Sequence, residues 1–342
     1  MQCNVPGAFM KPSWPGYYFR FDHYFRKGRY TIKAIKVIDR KPGLVDVPEP
    51  RGEGIKVKVV SSSICGSDIH MLALDAFGDH IIGHEFAGVT PDGRAVAIEP
   101  LAGCGQCGFC DEGHLVHCEA GISLMGVTGD GGMAEYVTVP ASHLVELPSG
   151  LDIRIASLVE PLAVAVHAVE RARVREGDRV LIIGAGPIGL AVGAVLRSRG
   201  IPYDIVARYD HQKVAAEKLA AGLTPGGNYD AVMDAVGSSR SLAEAVEWVT
   251  PLGRIGLVGI FWEAVSLEPG FCGKEPELIP SAGYHCKSTN RNFKEAGRIL
   301  HRHPDISQAL VTHRFPLDGV KEAFTTAADR SAGAIKVVFD VH

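Results

Sequence analysis

Cys104, Cys107, Cys110 and Cys118 stand at offsets 0, 3, 6 and 14 in a glycine-rich stretch. Two-residue gaps turn the backbone tightly around one centre, and four thiolates converging there suit a tetrahedral zinc that holds structure. Four unrelated thiols in a loop are the plain alternative, but isolated cysteines rarely fall on metal-ligand spacing. A second signal is Gly184, Gly186 and Gly189, with Pro187 and Ile188 between the last two glycines. A lone motif of this kind is common. Here it follows the apolar run from Val180 to Ile183 and opens a helical pattern, so the glycines permit a tight turn and let a dinucleotide pyrophosphate approach the helix N-terminus. Pro187 falls in the first helical turn, where a missing N–H costs nothing.

The choice of nucleotide should be set about 20 residues beyond the first glycine, where an acidic side chain binds the adenosine ribose and repels a 2′-phosphate. Twenty-four positions beyond Gly184 stands Arg208 instead. A guanidinium can hold phosphate bidentately, with Lys213 adding charge and His211 a weaker candidate, so NADP(H) is expected to be preferred, NAD(H) remaining possible. The competing reading leaves Arg208 solvated and gives the ribose to Asp210.

Five segments in order, Cys65 to His70, Gly83 to Gly88, the four-cysteine lobe, Val159 to Leu162 and Gly184 to Gly189, resemble the zinc-dependent medium-chain dehydrogenase/reductase family. Glu160 resembles its polyol and threonine dehydrogenase branch. The resemblance runs from about Thr31 onward and implies an α/β protein, with a GroES-like irregular β-barrel catalytic domain beside a doubly wound Rossmann domain. It also implies a second, catalytic zinc on Cys65 and His84, completed by Glu85 or Glu160, the two carboxylates being alternatives for direct or water-mediated binding. Such a zinc keeps about three protein ligands and one open position, and lowers the pKa of a bound oxygen by about 8 units or more, which makes hydride loss from an alcohol accessible near neutral pH.

Ser67 and His70 match the family's proton relay: a hydroxyl that bonds the alcohol and an imidazole with a pKa in the useful range. Helix N-capping for Ser67 and simple solvent exposure for His70 are the plain alternatives. Glu85 could exchange with water beside the metal, and Asp68 could orient a ligand. A homo-oligomer, dimer or tetramer, is implied by resemblance. The expected activity is hydride transfer between a secondary alcohol or polyol and NADP(+). The alternatives are an NADPH-dependent aldehyde or ketone reductase of the same family, and a nucleotide-binding sensor without turnover. Loss of Cys65, His84 or Ser67 would favour the sensor, and all three are present.

These residues need a frame. A chain of 342 residues is long for one core and comfortable for two domains, and a net charge of -4 without a basic tract speaks against a nucleic-acid partner. No apolar run reaches the ~18 residues of a membrane span. Eight cysteines, most of them in metal-like settings, fit a reducing compartment, and the cytoplasm is the expected location. The first 30 residues hold nine aromatics but no continuous apolar leader, so they read as a docked arm or a poorly ordered upstream stretch.

Residues 31–154 show short alternating strands with Gly and Pro turns, as in a catalytic β-domain. Apolar runs alternating with helical patterns over 155–288 predict a parallel, doubly wound sheet. Between Leu219 and Tyr229 there is room for little beyond a loop, so this sheet should be smaller than usual. By resemblance, residues 289–342 return to the first domain.

Overall fold

The computed structural model describes residues 30–286 and 291–342. The N-terminal arm, apart from Tyr30, and the expected boundary near Ser288 lie outside the described residues.

Alternation of apolar and polar residues produces an antiparallel hairpin, Thr31–Ile38 with Lys41–Pro48. It then produces a seven-stranded sheet centred on Ile55–Ser63. In Ile55–Ser63, Val57 and Val59 are fully buried while Lys56 and Lys58 face out, the period expected of a strand with one face in a core. This strand pairs with Glu85–Val89 on one side and with the closing strand Lys336–Asp340 on the other, so the end of the chain is built into the first sheet. Ser63 lies directly opposite Glu85 in the register.

The second sheet is parallel throughout, in the order Tyr203–Val206, Val180–Ile183, Tyr229–Asp234, Val249–Leu257, Glu277–Pro280. Val180–Ile183 is buried along its whole length, as a strand covered on both faces must be. The sheet is trimmed where the short 219–229 segment predicts. In place of a further strand, Gly222 makes a single bridge to Asp204. Tyr229 closes that edge, its hydroxyl donating to Asp204 at 2.7 Å while the Arg179 guanidinium lies 4.9 Å from its ring centre.

Helix Val159–Arg171 joins the two sheets. It is buried on nearly every side, including Val159, Leu162, Val166 and Val169, which marks a helix enclosed between layers rather than one lying on a surface. The turn before it, Ile153–Leu158, is fastened to the first sheet by the Ser61 hydroxyl, which donates to the Ile153 carbonyl at 2.8 Å. Glu160 in the first turn of this helix is thereby held against the first sheet. Among the described residues, no helix is long and apolar enough to cross a membrane.

Candidate active site

Cys65 ends the loop after Ile55–Ser63 and is the N-cap of helix Gly66–Ala73, while Glu85 opens the neighbouring strand and His84 immediately precedes it. Donor atoms of Cys65, His84 and Glu85 all lie within 4.8 Å of one another. His84 and Glu85 are buried. Asp68, three residues into the helix, ties two of them together. One of its oxygens accepts from the Cys65 backbone N–H at 3.0 Å, and the other faces His84 Nδ1 at 3.4 Å. With one ring nitrogen turned toward a carboxylate, the other is left for coordination, the arrangement that orients metal-binding histidines. Burial alone would lower the pKa of His84, but Asp68 and then Cys65 raise it well above the ordinary value.

Glu85 has partners of its own. Lys336, 1% exposed, reaches both of its carboxylate oxygens at 2.8 Å and the Ile64 carbonyl at 3.1 Å. Ser63 donates to the same carboxylate from across the strand pair. A carboxylate offers about four lone-pair positions, so these bonds still leave room for a metal. Burial would lower the pKa of Lys336, but the facing Glu85 raises it above the ordinary lysine value.

Glu160 stands beside this cluster but outside the group of three. Its Oε1 accepts from the Tyr284 hydroxyl at 2.8 Å, and both side chains are buried. Burial pushes Glu160 up to about 7, with His84 pulling it down and Glu85 pushing it up. Ser67 is half-buried at the second position of its helix; the N-cap is Cys65, which removes N-capping as the role of Ser67. His70 is exposed, on the same helix.

The four-cysteine lobe forms a second cluster, its sulfur atoms also within 4.8 Å of one another. Cys104 is exposed and Cys118 buried. The Cys104 N–H points at Cys118 Sγ at 3.2 Å, and Gly103 is required because a Cβ there would fall 2.5 Å from Cys110 Sγ. Backbone N–H groups of Glu119 and Cys110 lower the Cys107 thiol to about 7, whereas burial pushes the Cys110 thiol up to about 12. Both donor sets suit zinc: sulfur alone in the lobe, and mixed sulfur, nitrogen and oxygen in the buried cluster.

On the other sheet, Gly184 and Gly186 lie in the turn between Val180–Ile183 and helix Pro187–Ser198, with Gly186 as N-cap and Pro187, Ile188 and Gly189 in the first turn of the helix. Gly189 admits no side chain, since a Cβ would sit 1.7 Å from the Gly184 carbonyl oxygen. Asp234 braces the adjoining loop by accepting from the Val236 and Gly237 N–H groups at 2.9 and 3.1 Å. Arg208 follows Tyr203–Val206, and among the described residues no carboxylate forms an ion pair with it. Lys213 is paired with Asp210 at 2.9 Å on the exposed first turn of the following helix.

Residues 51–149 match the alcohol dehydrogenase GroES-like domain, and residues 153–341 match the glucose dehydrogenase C-terminus. The chain belongs to the zinc-dependent medium-chain dehydrogenase/reductase family. It is an NAD(P)-dependent oxidoreductase acting on CH–OH groups, with a GroES-like catalytic domain and a Rossmann-like nucleotide-binding domain. It is 31% identical over 315 residues to the L-galactonate-5-dehydrogenase of Escherichia coli K12, covering 82% of this chain and 89% of that protein. To the L-arabinitol 4-dehydrogenase of Aureobasidium melanogenum it is 31% identical over 361 residues, covering 91% and 95%. Among solved structures, a short chain alcohol dehydrogenase of Escherichia coli CFT073, complexed with NADH, superposes with a TM-score of 0.82 at 27% identity, covering 91% of this chain and 99% of that one.

The polar partners of the dehydrogenase's site are what motif reading misses. Lys336 is a single lysine at the head of an apolar closing strand, and Ser63 ends a run of three serines that breaks the alternation of Ile55–Ser63. Both are visible as exceptions to pattern. Tyr284 carries no signal in its neighbourhood.

Proposed function

We propose that this dehydrogenase interconverts a secondary alcohol or polyol and its carbonyl with NADP(H), using one zinc on Cys65, His84 and Glu85 and a second, structural zinc on Cys104, Cys107, Cys110 and Cys118. The observation that carries the reading is the convergence of Cys65, His84 and Glu85, with ligand atoms within 4.8 Å of one another. Bound there, zinc supplies Lewis acidity toward the substrate oxygen. Asp68 holds Cys65 and His84 in orientation, and Lys336 with Ser63 holds the Glu85 carboxylate in place. Glu160, anchored by Tyr284, lines the centre as the alternative carboxylate. Ser67 bonds the alcohol hydroxyl, and His70, exposed on the same helix, passes its proton to solvent.

The division into residues 31–154, 155–288 and 289–342, a homo-oligomeric state and a cytoplasmic location belong to the same reading.

Preference for NADP(H) rests on Arg208. Its guanidinium has no carboxylate partner among the described residues, and Asp210 pairs with Lys213 instead. One charge-assisted hydrogen bond is worth about 1.5–3 kcal/mol, so a ratio of roughly 10- to 150-fold is expected from this contact. The test is a panel of polyols, sugars, secondary alcohols and aldehydes assayed with both nucleotides, in wild type and Arg208→Asp. Equal or better use of NAD by the wild type, or an unchanged ratio in the variant, overturns the preference. An absence of turnover across the panel overturns the proposed substrate class.

A further inference from the structure

One contact bridges the two halves of the site and joins a motif residue, His70, to a residue outside every motif, Trp262. The strand Val249–Leu257 ends at the same edge of the parallel sheet as Gly184 and the Asp234 loop, and the N–H groups of Val258 and Gly259 both donate to the Asp234 carbonyl at 2.9 Å. From there the chain leaves regular structure until helix Pro269–Lys274. In that stretch the Trp262 indole lies against His70 of the catalytic sheet's helix, ring centres 4.7 Å apart and planes within 17°. The indole is still 40% exposed, so burial in a core does not account for its position. His70 is itself exposed and carries no other ring contact among the described residues. An imidazole on an exposed helix face turns freely about two bonds unless something flat restrains it.

We propose that Trp262 is a positioning residue for His70: a side chain carried on the nucleotide-binding half fixes the plane of the imidazole that moves the substrate proton. The inference rests on the reading of His70 as the proton relay. Its physical content is that the relay is in register only when the loop leaving the nucleotide sheet lies against the helix that starts at Cys65. The nucleotide and the metal cluster bind on different sheets, so one flat contact between them makes proton transfer sensitive to how the two halves are apposed.

Trp262→Ala should lower kcat roughly tenfold, a fraction of what a general acid–base group contributes, while KM for the alcohol and nucleotide Kd move less than about twofold. Trp262→Phe should restore most of the loss, because a phenyl ring keeps a stacking face. A second measurement does not need turnover. The chain has three tryptophans, so the emission difference between wild type and Trp262→Phe isolates Trp262, and His70→Ala should change that component. Unchanged kcat in Trp262→Ala, equal losses in the Ala and Phe variants, or emission indifferent to His70→Ala would each overturn the proposal. Wild-type protein without turnover on any alcohol sinks the reading of the active site, whereas turnover with an unresponsive Trp262 sinks the stack alone.

Discussion

The molecule holds two clusters of metal-type ligands, and they are built in opposite ways. In the cysteine lobe all four donors come from one stretch of fifteen residues, Cys104 to Cys118, and Cys104 is exposed. In the buried cluster, Cys65 stands on a helix start and His84 with Glu85 at a strand start, and each is held by a further polar group. Asp68 serves Cys65 and His84, Ser63 and Lys336 serve Glu85, and Tyr284 serves the adjacent Glu160. Lys336 reaches Glu85 across 251 positions of sequence. A local cluster can be assembled by one loop closing on itself and loses little if its neighbours move. A cluster assembled from three strands and two helices exists only when the fold is complete, and its buried charges would be costly without their partners. The first design suits a site that stabilises. The second suits one whose electrostatics must be set before substrate arrives.

That contrast can be broken by experiment, most strongly at the buried cluster. His84→Ala should remove one zinc per chain and reduce turnover by at least about a thousandfold, with nucleotide binding followed by fluorescence little changed, since the nucleotide rests on the other sheet. Metal analysis showing one zinc in fully active wild-type protein would end the distinction between the clusters.

Lys336→Met comes next. It leaves the Glu85 carboxylate buried without its countercharge, and breaking such a pair costs about 3–5 kcal/mol, read from the midpoint of urea unfolding. Because the pKa of Lys336 is raised in the fold, the pair's contribution is intact below the ordinary lysine range and is lost as pH rises through the folded value. Stability equal to wild type at pH 7 would show that the pair is no strut.

In the lobe, Cys107→Ser should remove the other zinc while kcat of the surviving fold stays within a few-fold. The melting temperature should fall by roughly 4 °C, taking a loss of about 3 kcal/mol for a chain of this size. Unchanged melting after that zinc is lost would deny the lobe its structural role.

The smallest effect concerns Glu160 after chelation of metal. Burial raises its pKa to about 7 from an ordinary value of 4.5. An acid raised in the fold binds its proton more tightly when folded, so stability is highest below the unfolded value and falls as pH climbs from about 4.5 to 7. Glu160→Gln should flatten that slope by on the order of 2 kcal/mol, the full shift being discounted because His84, Glu85 and Lys336 share its field. A slope identical in the variant would assign the pH dependence elsewhere.

Legibility in the sequence follows the same division. The cysteine lobe, the glycine turn after a buried strand and the shortened 219–229 segment are all readable, since each concerns neighbours along the chain. Strands Glu277–Pro280 and Val311–Pro316 and helices Asp305–Leu310 and Val320–Ala328 are not, being short pieces whose pattern is ambiguous without their partners. Helix Pro187–Ser198 begins three residues before its apolar periodicity does, because Pro187 and the glycines supply its first turn without an apolar face.

By itself the sequence determined which residues could carry chemistry: thiols at ligand spacing, glycines where a pyrophosphate must approach, and an arginine where an acid is usual. Only the tertiary structure decided which of them meet. It brought Glu85 into the group with Cys65 and His84, turned Glu160 toward Tyr284, bound Lys213 to Asp210, and laid Trp262 on His70. The physical reason is that spacing and periodicity act over a few residues, whereas pairing a buried charge depends on which strand lies beside which. That register is settled only when the whole core closes.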